Sequence, residues 1–440
     1  LVVCYIRGVT TKAADEKCHI QFIIEDTYDD AKILQSDFKF AADGRWNKCY
    51  FPSGQINDYT ETLNFNIRCG YEIQEFEVAD LNVYYYSATD YPNLTYDDMP
   101  ESVSIPSGIE PGEDWRKQAE ERIKLIRMGK ASVNVKDQNG NALENVKIDF
   151  DMKDHEFQFG SAINGTVTRN LVNYDNTIKG YFNTAVFESE HKWVQYEKNP
   201  TLTRTMYNKA KTLGIKNVRG HTLIWDRDYM SKPWKDNTSI PQDIAQNYNN
   251  KTYLDTRIEN HINSISTDYK GQLCDWDVVN ELTNNHCMTE LYNKETLAQW
   301  FNWAKQYDPD ATRYINETGI TGTGDDHLNR FCAYLDYMVQ NNVDFEGIGV
   351  QSHFSAACNI EDFKAQLDRL ASYGKRLKIT EFDFNKNGNL QSDFTRDIIL
   401  LSFSLPQVDG FLGWGFWDSS HWLHNAMLFD KNWNLKNSGK

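Results

Sequence analysis

The stretch LCDWDVVNELTNN (residues 273–285) opens with apolar residues and ends on an amide beside a carboxylate, Asn280 and Glu281. Its apolar part has the length of a buried β-strand. An isolated carboxylate inside a core is costly, so such a strand carries its polar residues at the point where it leaves the core. The stretch therefore predicts a strand that delivers an acid to the mouth of a site, or a strand that simply ends at the surface.

Seven other short apolar runs share this plan, and helical patterns separate most of them. The eight runs are FQFGSAI (157–163), TAVFESE (184–190), NVRGHTLIW (217–225), CDWDVVNE (274–281), RYINE (313–317), GIGVQSH (347–353), RLKITEFD (376–383) and GFLGWGFWD (410–418). Eight strand–helix units in roughly 280 residues predict an α/β fold, a (β/α)8 TIM barrel. A doubly wound sheet also alternates strands and helices, but it does not explain why so many runs end in polar side chains.

Polar and aromatic residues cluster at the ends of these runs. They are Glu188, Glu190, His221, Asn280, Glu281, Asn316, Glu317, Gln351, His353, Glu381, Asp383, Trp414 and Trp417. The carboxyl ends of barrel strands converge on one face, so we expect one polar cleft there. Paired carboxylates on two strands, Glu281 and Glu381, are typical of glycoside hydrolysis, and a separation of about 5 Å would indicate a retaining reaction.

The chain divides into two parts around a Pro-, Gly- and Ser-rich segment. Residues 1–100 hold short alternating or β-branched runs separated by turn residues, which predicts an all-β sandwich or jelly roll. Residues 101–113 read as a linker. The barrel is expected at 114–440, beginning with a helix over 114–128 and a hairpin over 131–152 that has Asn-Gly in its turn.

Composition excludes two classes of partner. The 440 residues include 46 basic and 63 acidic side chains, a net charge of −17. Phosphate binding requires stripes of Lys and Arg, so we expect neither nucleic acid nor an anionic membrane as a partner. No apolar run approaches the ~20 residues of a membrane span. The 12 Trp and 24 Tyr suit flat, half-polar ligands such as sugars, although packing also uses them.

Cysteines and glycosylation triplets favour a secreted protein. The eight Cys form no C-x-x-C pair, so we expect no zinc site or other metal, and their even split between the halves is compatible with disulfides within each half. The start LVVCYIRG (1–8) reads as a strand under way, which indicates a trimmed chain. N-x-S/T triplets begin at Asn93, Asn164, Asn237, Asn250 and Asn316.

Six motifs in order carry a family resemblance. ESEHKW, RGHTLIW, WDVVNE, GVQSH, ITEFD and GWGFWD resemble glycoside hydrolase family 10, whose members are retaining endo-β-1,4-xylanases on a TIM barrel. The likeness covers about residues 150–430, and residues 1–100 more weakly resemble a carbohydrate-binding module of the family 22 type. It implies xylan or another β-1,4-linked polysaccharide as partner and no cofactor, and we expect a monomer.

The resemblance also implies a role for each matching position. Glu281 matches the general acid/base and Glu381 the nucleophile, while His353 and Asp383 match the pair that orients the nucleophile. The substrate-binding positions that it implies are Glu188, Lys192, His221, Trp225, Asn280, Gln351, Trp414 and Trp422.

Four positions depart from the family pattern and leave alternatives open. Ser189 stands where Asn is usual, Asp226 where His is frequent, Thr318 where Tyr is common, and His421 where a small hydroxyl residue is common. Because the small Ser189 could admit glucose, a broader β-1,4-glycanase acting on cellulose or mixed glucans is one alternative. A non-catalytic polysaccharide-binding protein is another. Trp417 could belong to the core, and Trp46 with residues 84–86 to a sugar platform or to sandwich packing.

Overall fold

The computed structural model describes residues 1–14, 17–26, 32–52, 63–92, 94, 103–104, 114–227, 239–322, 324–386 and 388–440. These residues form two compact units, Leu1–Glu113 and Asp114–Lys440. The predicted linker lies outside the described residues except for Val103–Ser104. No helix of the described part is long and apolar enough to cross a membrane.

The first unit consists of two antiparallel sheets, as the sequence predicts. Its described strands are β1 Val2–Thr11, β2 Lys17–Asp26, β3 Lys32–Ala41, β4 Asn47–Phe51, β5 Leu63–Arg68, β6 Gln74–Val83 and β7 Val103–Ser104. One sheet has the order β6-β1-β4-β7 and the other β3-β2-β5. Alternation on β1 sends Val2, Cys4 and Ile6 into the core that the two sheets share.

The second unit is a closed parallel barrel. Its strands are β8 Gln158–Ile163, β9 Thr184–Phe187, β10 Asn217–Ile224, β11 Asp275–Asn280, β12 Thr312–Glu317, β13 Gly347–Val350, β14 His353–Phe354, β15 Arg376–Phe384 and β16 Val408–Gly413. Pairing runs in order from β8 to β13, then through β15 and β16 back to β8, while the short β14 extends the edge of β15. All eight predicted runs therefore contain a barrel strand, which confirms the TIM barrel.

Helices surround this barrel and return the chain from one strand to the next. They are α1 Asp114–Ile126, α2 Val172–Tyr181, α3 Trp193–Lys198, α4 Pro200–Thr212, α5 Gln242–Gln246, α6 Lys251–Asp268, α7 Cys287–Tyr292, α8 Glu295–Tyr307, α9 Asp325–Gln340, α10 Ile360–Ala371 and α11 Gly388–Ser404. The helix expected at 114–128 is α1, which Arg116 joins to Asp397 of α11 by an ion pair.

The interior of the barrel contains charges that its sequence pattern did not predict. Arg219 and Lys378 are each 1% exposed, and both pair with the carboxylate of Asp275. The ring of Tyr314 lies 4.6 Å from the guanidinium and 4.8 Å from the ammonium group. Since every one of these charges has an opposite partner, the cost of burying it is partly offset.

Two expectations differ from the structure. Residues 131–152 contain one antiparallel bridge, Lys136 to Ala142, instead of a two-stranded hairpin; Val146 and Ile148 there remain exposed, so their alternation has no buried face. No disulfide joins any of the eight cysteines, all of which lie within the described residues, so the suggested disulfides are not formed.

Three of the N-x-S/T triplets lie in folded surroundings that use the asparagine side chain. Asn316 is 0% exposed, and the Nδ2 of Asn164 donates to Glu188 at 2.8 Å. Asn250 is exposed at the start of α6, where its Oδ1 accepts the N–H of Tyr253 at 3.1 Å. Asn93 and Asn237 lie outside the described residues.

Candidate active site

Glu281 follows β11 at the mouth of the barrel. Its N–H donates to the carbonyl oxygen of Asn316 at 2.8 Å, and its φ of 55° is uncommon for a residue with a side chain. Each carboxylate oxygen accepts a hydrogen bond, Oε1 from Gln351 at 3.1 Å and Oε2 from Asn285 at 3.1 Å. Two amide groups from different loops therefore fix the orientation of this carboxyl group.

Glu381 lies on β15 and is 4% exposed. Its Oε1 accepts a hydrogen bond from Asn316 Nδ2 at 2.7 Å, and its Oε2 lies 3.2 Å from His353 Nε2. The Nδ1 of His221 lies 3.8 Å from Oε1. One amide and two imidazoles therefore surround the second carboxylate.

A continuous chain of amides joins the two carboxylates. Asn280 Oδ1 accepts from Asn316 Nδ2 at 2.9 Å and from Gln351 Nε2 at 3.2 Å. These same two amides donate to Glu381 and Glu281, respectively. All three are at most 1% exposed, so the relative placement of the acids is fixed by buried hydrogen bonds.

The two carboxyl groups differ in proton affinity. Burial raises the pKa of Glu281, and the charges of Glu381 and Glu317 raise it further against the hydrogen bond from Gln351. Burial also opposes the ionisation of Glu381, but the charge of His221 and the hydrogen bond from His353 outweigh it and lower the pKa to about 2. Such a pair supplies one acid that retains its proton and one carboxylate that stays ionised.

His353 connects Glu381 to a third carboxylate. Its Nδ1 lies 2.9 Å from Oδ2 of Asp383, which also accepts a hydrogen bond from Trp422 Nε1 at 2.7 Å. Burial disfavours its charge, but the hydrogen bonds to Asp383 and Glu381 raise its pKa to about 10. His353 is therefore a cation at neutral pH, held between two anions.

His221 is oriented from beneath the site. Its Nδ1 lies 2.9 Å from Asp277 Oδ2, and Asp277 in turn pairs with Arg219. The ring of Trp414 meets the ring of His221 edge-on at 5.3 Å between centroids. The charged interior of the barrel therefore extends up to the nucleophile position.

The β9 side of the mouth supplies polar groups and an aromatic wall. The ammonium group of Lys192 lies 5.0 Å from the centroid of the Trp225 ring. Burial lowers the pKa of Lys192, while the charges of Glu381 and Glu188 oppose this effect.

Two tryptophans that follow β16 have different surroundings. Trp422 is 52% exposed, so it can offer a ring face to a ligand. Trp417 instead stacks on Trp433 at 4.4 Å, which is packing.

The four unusual positions lie beside the mouth. Asp226 is buried and accepts the N–H of Met288 at 2.5 Å, which anchors the start of α7. His421 is 4% exposed, and burial lowers its pKa to about 4. Ser189 and Thr318 donate their backbone N–H groups to Glu190 and Glu317, respectively.

Asn316, Glu317, Asp277 and Asn285 also touch the site. The sequence placed Asn316 and Glu317 in the expected cleft without a specific role, and it did not single out Asp277 or Asn285. A signal for the first two was present, because the dipeptide Asn280-Glu281 recurs as Asn316-Glu317 at the end of the next strand. No group of three or more His, Cys, Asp or Glu among the described residues is arranged to hold a metal ion.

Comparison with known proteins places this barrel in a family. Residues 149–439 match glycosyl hydrolase family 10. The anti-sigma-I factor RsgI6 of Acetivibrio thermocellus is 30% identical over 75% of this chain and 42% of its own length. Endo-1,4-beta-xylanase 5 of Arabidopsis thaliana is 30% identical over 68% of this chain and 52% of its own. The chain thus spans about half the length of these curated relatives.

Solved structures agree on the fold. Xylanase 10B from Thermotoga maritima superposes with a TM-score of 0.55 at 24% identity, covering 64% of this chain and 93% of that one. Xylanase 10B from Thermotoga petrophila, in complex with xylobiose, gives a TM-score of 0.54 at 23% identity, covering 64% and 91%. At these identities the likeness establishes the barrel alone.

Proposed function

The chain belongs to glycosyl hydrolase family 10, and on that premise we propose that it is a retaining endo-β-1,4-xylanase. The observation that carries the proposal is the pair of acids with opposite proton affinities, Glu281 and Glu381, joined by buried amides. A double displacement requires one protonated and one ionised carboxyl group. The xylanase relative in Arabidopsis thaliana supports xylan as the substrate.

The first step forms a covalent intermediate. A carboxylate oxygen of Glu381 attacks the anomeric carbon while the glycosidic C–O bond breaks and its electron pair leaves with the oxygen. Glu281 transfers its proton to that oxygen, so the leaving sugar departs as an alcohol. His353 orients the nucleophile through its contact at 3.2 Å. The products are a glycosyl ester on Glu381 and an ionised Glu281.

The second step releases the sugar and restores the enzyme. Glu281, now a carboxylate, takes a proton from a water molecule whose oxygen attacks the anomeric carbon. The ester bond breaks and its electron pair returns to Glu381. Esterification removes the negative charge of Glu381, so the proton affinity of Glu281 falls after the first step. Hydrolysis of the ester restores that charge, and the proton affinity of Glu281 rises again after the second step. Two inversions at one carbon give net retention.

The proposal is tested with Glu281→Ala and a distant control. Glu346→Ala removes a partly exposed carboxylate that pairs with Arg313 just before β13, at the opposite end of the barrel. We expect Glu281→Ala to lose most xylan hydrolysis, to retain cleavage of a dinitrophenyl β-xylobioside, and to form a β-glycosyl azide with added azide. The control should behave as wild type. Full xylan hydrolysis by Glu281→Ala would refute the assignment.

A second question about the same site is whether it also hydrolyses β-1,4-glucans. Ser189 next to Glu188 is smaller than the usual Asn, and Lys192 lies on the same side of the mouth. The alternative substrate is therefore a β-1,4-glucan. Rates on xylohexaose and cellohexaose decide between them, and a thousandfold preference for the xylose chain eliminates the glucanase alternative.

A second candidate function is a polysaccharide-binding protein without hydrolysis. The Acetivibrio thermocellus relative is named an anti-sigma-I factor, not a xylanase, while the paired acids of this chain favour the enzyme. Release of reducing sugar from xylan by the wild type, measured against the Glu281→Ala variant, separates the two.

We further propose that the first unit binds polysaccharide. The guanidinium of Arg7 lies 4.9 Å from the centroid of the Trp46 ring, and the ammonium of Lys48 lies 5.5 Å from the Tyr5 ring on the same sheet. Aromatic and charged groups of this kind suit sugar rings. The full chain carrying Glu281→Gln should be retained on insoluble xylan, and adding Trp46→Ala should reduce retention. Equal retention refutes this role.

The extracellular space is the compartment that suits this function, because a polymeric substrate does not enter cells. We therefore propose that the protein is secreted. Asn250, exposed at the start of α6, is an N-x-S/T asparagine available for modification. Recovery of the protein from culture medium would support secretion, and a mobility change after deglycosidase treatment would support glycosylation. Retention in the cell pellet would refute secretion.

A further inference from the structure

Glu317 is a fully buried acid that the proposed mechanism does not use. It ends β12 and is 0% exposed. Its Oε2 accepts two hydrogen bonds from Thr283, from the N–H at 2.9 Å and from Oγ1 at 2.8 Å. Its Oε1 accepts the N–H of Thr318 at 3.1 Å and lies 3.5 Å from His327 Nε2. With three donors directed at its two oxygens, the group fits the carboxylate form, which only accepts.

Thr283, which donates to Glu317, belongs to the same turn as Glu281. The carbonyl oxygen of Glu281 accepts from the N–H groups of Asn284 and Asn285 at 3.2 and 2.9 Å, which closes a tight turn around Thr283. The side chain of Asn285 then reaches back to the Glu281 carboxylate at 3.1 Å. Fixing Thr283 therefore fixes both the acid and one of its two amide donors.

We propose that Glu317 is a positioning residue for Glu281, which anchors the turn bearing the acid and keeps one negative charge behind it through both steps of the reaction. The inference rests on the proposed function of Glu281. It differs from the role of Glu381, whose charge disappears when the glycosyl ester forms. Neither step forms a bond to Glu317, so this carboxylate acts on Glu281 in the same way before and after the glycosyl ester forms.

Other charged groups face these two acids and remain the same in the variants below. Glu381, His221 and Lys192 act on Glu281 from β15, β10 and the start of α3. Around Glu317 lie His327 on α9, whose Nδ1 lies 3.3 Å from the guanidinium of Arg330, and Tyr334 on the same helix, whose pKa is raised first by burial and then by neighbouring carboxylates.

Two substitutions separate the charge of Glu317 from its reach. Glu317→Gln keeps the length and removes the charge, while Glu317→Asp keeps the charge and shortens the reach. The basic limb of the kcat/KM profile on xylan reports loss of the proton from free Glu281. Removing a nearby anion makes that proton easier to lose, so Glu317→Gln should move the limb to lower pH by roughly 0.5–1 unit. Glu317→Asp should leave the limb in place and lower kcat.

The leaving group provides a readout that a purely structural role does not predict. A dinitrophenyl β-xylobioside needs no proton from Glu281 in the first step. Glu317→Gln should therefore show the shifted limb on xylan and no corresponding shift on the activated substrate. Equal shifts in the Gln and Asp variants, or no shift in either, would overturn the inference.

Thr283→Val is a milder variant that keeps the fold testable. It removes the hydroxyl bonded to Glu317, leaves the N–H bond in place, and changes no charge. We expect lower kcat on xylan with an unmoved limb. A shift as large as that of Glu317→Gln would contradict the assignment of the effect to charge.

A direct titration separates failure of this inference from failure of the proposed function. Carbon-13 NMR of labelled glutamate carboxyl groups, assigned with Glu281→Gln, follows Glu281 whether or not the protein hydrolyses xylan. A downward shift of its titration in Glu317→Gln supports the inference even if xylan proves to be the wrong substrate. An unchanged titration in a folded Glu317→Gln protein refutes it even if xylan hydrolysis is confirmed.

Discussion

Replacing His353 by asparagine tests how the nucleophile stays ionised. His353 lies 3.2 Å from Glu381 and 2.9 Å from Asp383, and its pKa of about 10 makes it a cation at neutral pH. The amide that replaces the imidazole in His353→Asn is neutral at every pH. Glu381 would then lose one of the two imidazoles that stabilise its charge, while His221 would remain at 3.8 Å.

The size of the effect follows from the pKa of Glu381. It is lowered from an ordinary 4.5 to about 2 although burial alone would raise it. At 1.36 kcal/mol per unit this corresponds to about 3 kcal/mol in favour of the ionised form. Because His221 supplies a share and survives the change, we expect His353→Asn to raise the pKa of Glu381 by roughly 1–2 units.

The assay is the pH dependence of kcat/KM on a dinitrophenyl β-xylobioside, since its first step needs no acid catalyst. The acidic limb should move to higher pH by the same 1–2 units. Trp422→Phe is the matched control, because it removes the hydrogen bond to Asp383 at 2.7 Å without changing the charge. An acidic limb that stays in place in His353→Asn, or moves equally in Trp422→Phe, would refute the reasoning.

Stability gives an independent check with a defined sign. The lowered pKa of Glu381 contributes folding stability that is present above pH 4.5 and lost as the pH falls through about 2. The raised pKa of His353 contributes stability that is present below pH 6.5 and lost as the pH rises through about 10. The two pKa shifts arise partly from the same contact between His353 and Glu381, so their contributions to stability are not independent. Urea unfolding should therefore show the largest deficit of His353→Asn at about pH 5–6, where both contributions are fully present.

Three further changes have distinct expected outcomes. Asn316→Asp replaces the amide donor 2.7 Å from Glu381 with a carboxylate; like charges should raise the pKa of Glu381, and kcat/KM should fall about 100-fold at pH 5 in steady-state kinetics. Lys378→Met leaves Asp275 with one cation instead of two; we expect a loss of about 3 kcal/mol in denaturant unfolding. Gly220→Ala would put a Cβ into the indole ring of Trp276; the melting temperature of the variant should fall by several degrees in calorimetry.

The barrel was predictable because its signal is repeated and local. Each of the eight runs is a buried strand followed by polar residues, and closure brings these ends together whatever the helices do. The pairing of β13 with β15 and of β16 with β8 completes that circle. Glu281 and Glu381 therefore reach one cleft although 100 positions separate them in the sequence.

The roles of Asn316 and Glu317 were not predictable from the same signal. Neighbouring residues of a strand point to opposite sides, so one enters the mouth and donates to Glu381 while the other anchors Thr283. Sequence alone does not say which side faces the cleft. The region 131–152 shows the converse limit: its alternation predicts strands, but Val146 and Ile148 are exposed.

The charged residues inside the barrel are the feature that the apolar pattern of the strands did not predict. The geometry of their ion pairs explains why the fold tolerates them. Arg219 reaches Asp275 with one terminal nitrogen and Asp277 with the other. Asp277 presents its remaining oxygen to His221 at 2.9 Å, so the imidazole that faces Glu381 is fixed by a carboxylate that is itself fixed. An apolar core would pack more cheaply but could not orient that ring. The buried charges therefore extend the preorganisation of the nucleophile from the mouth into the centre of the barrel.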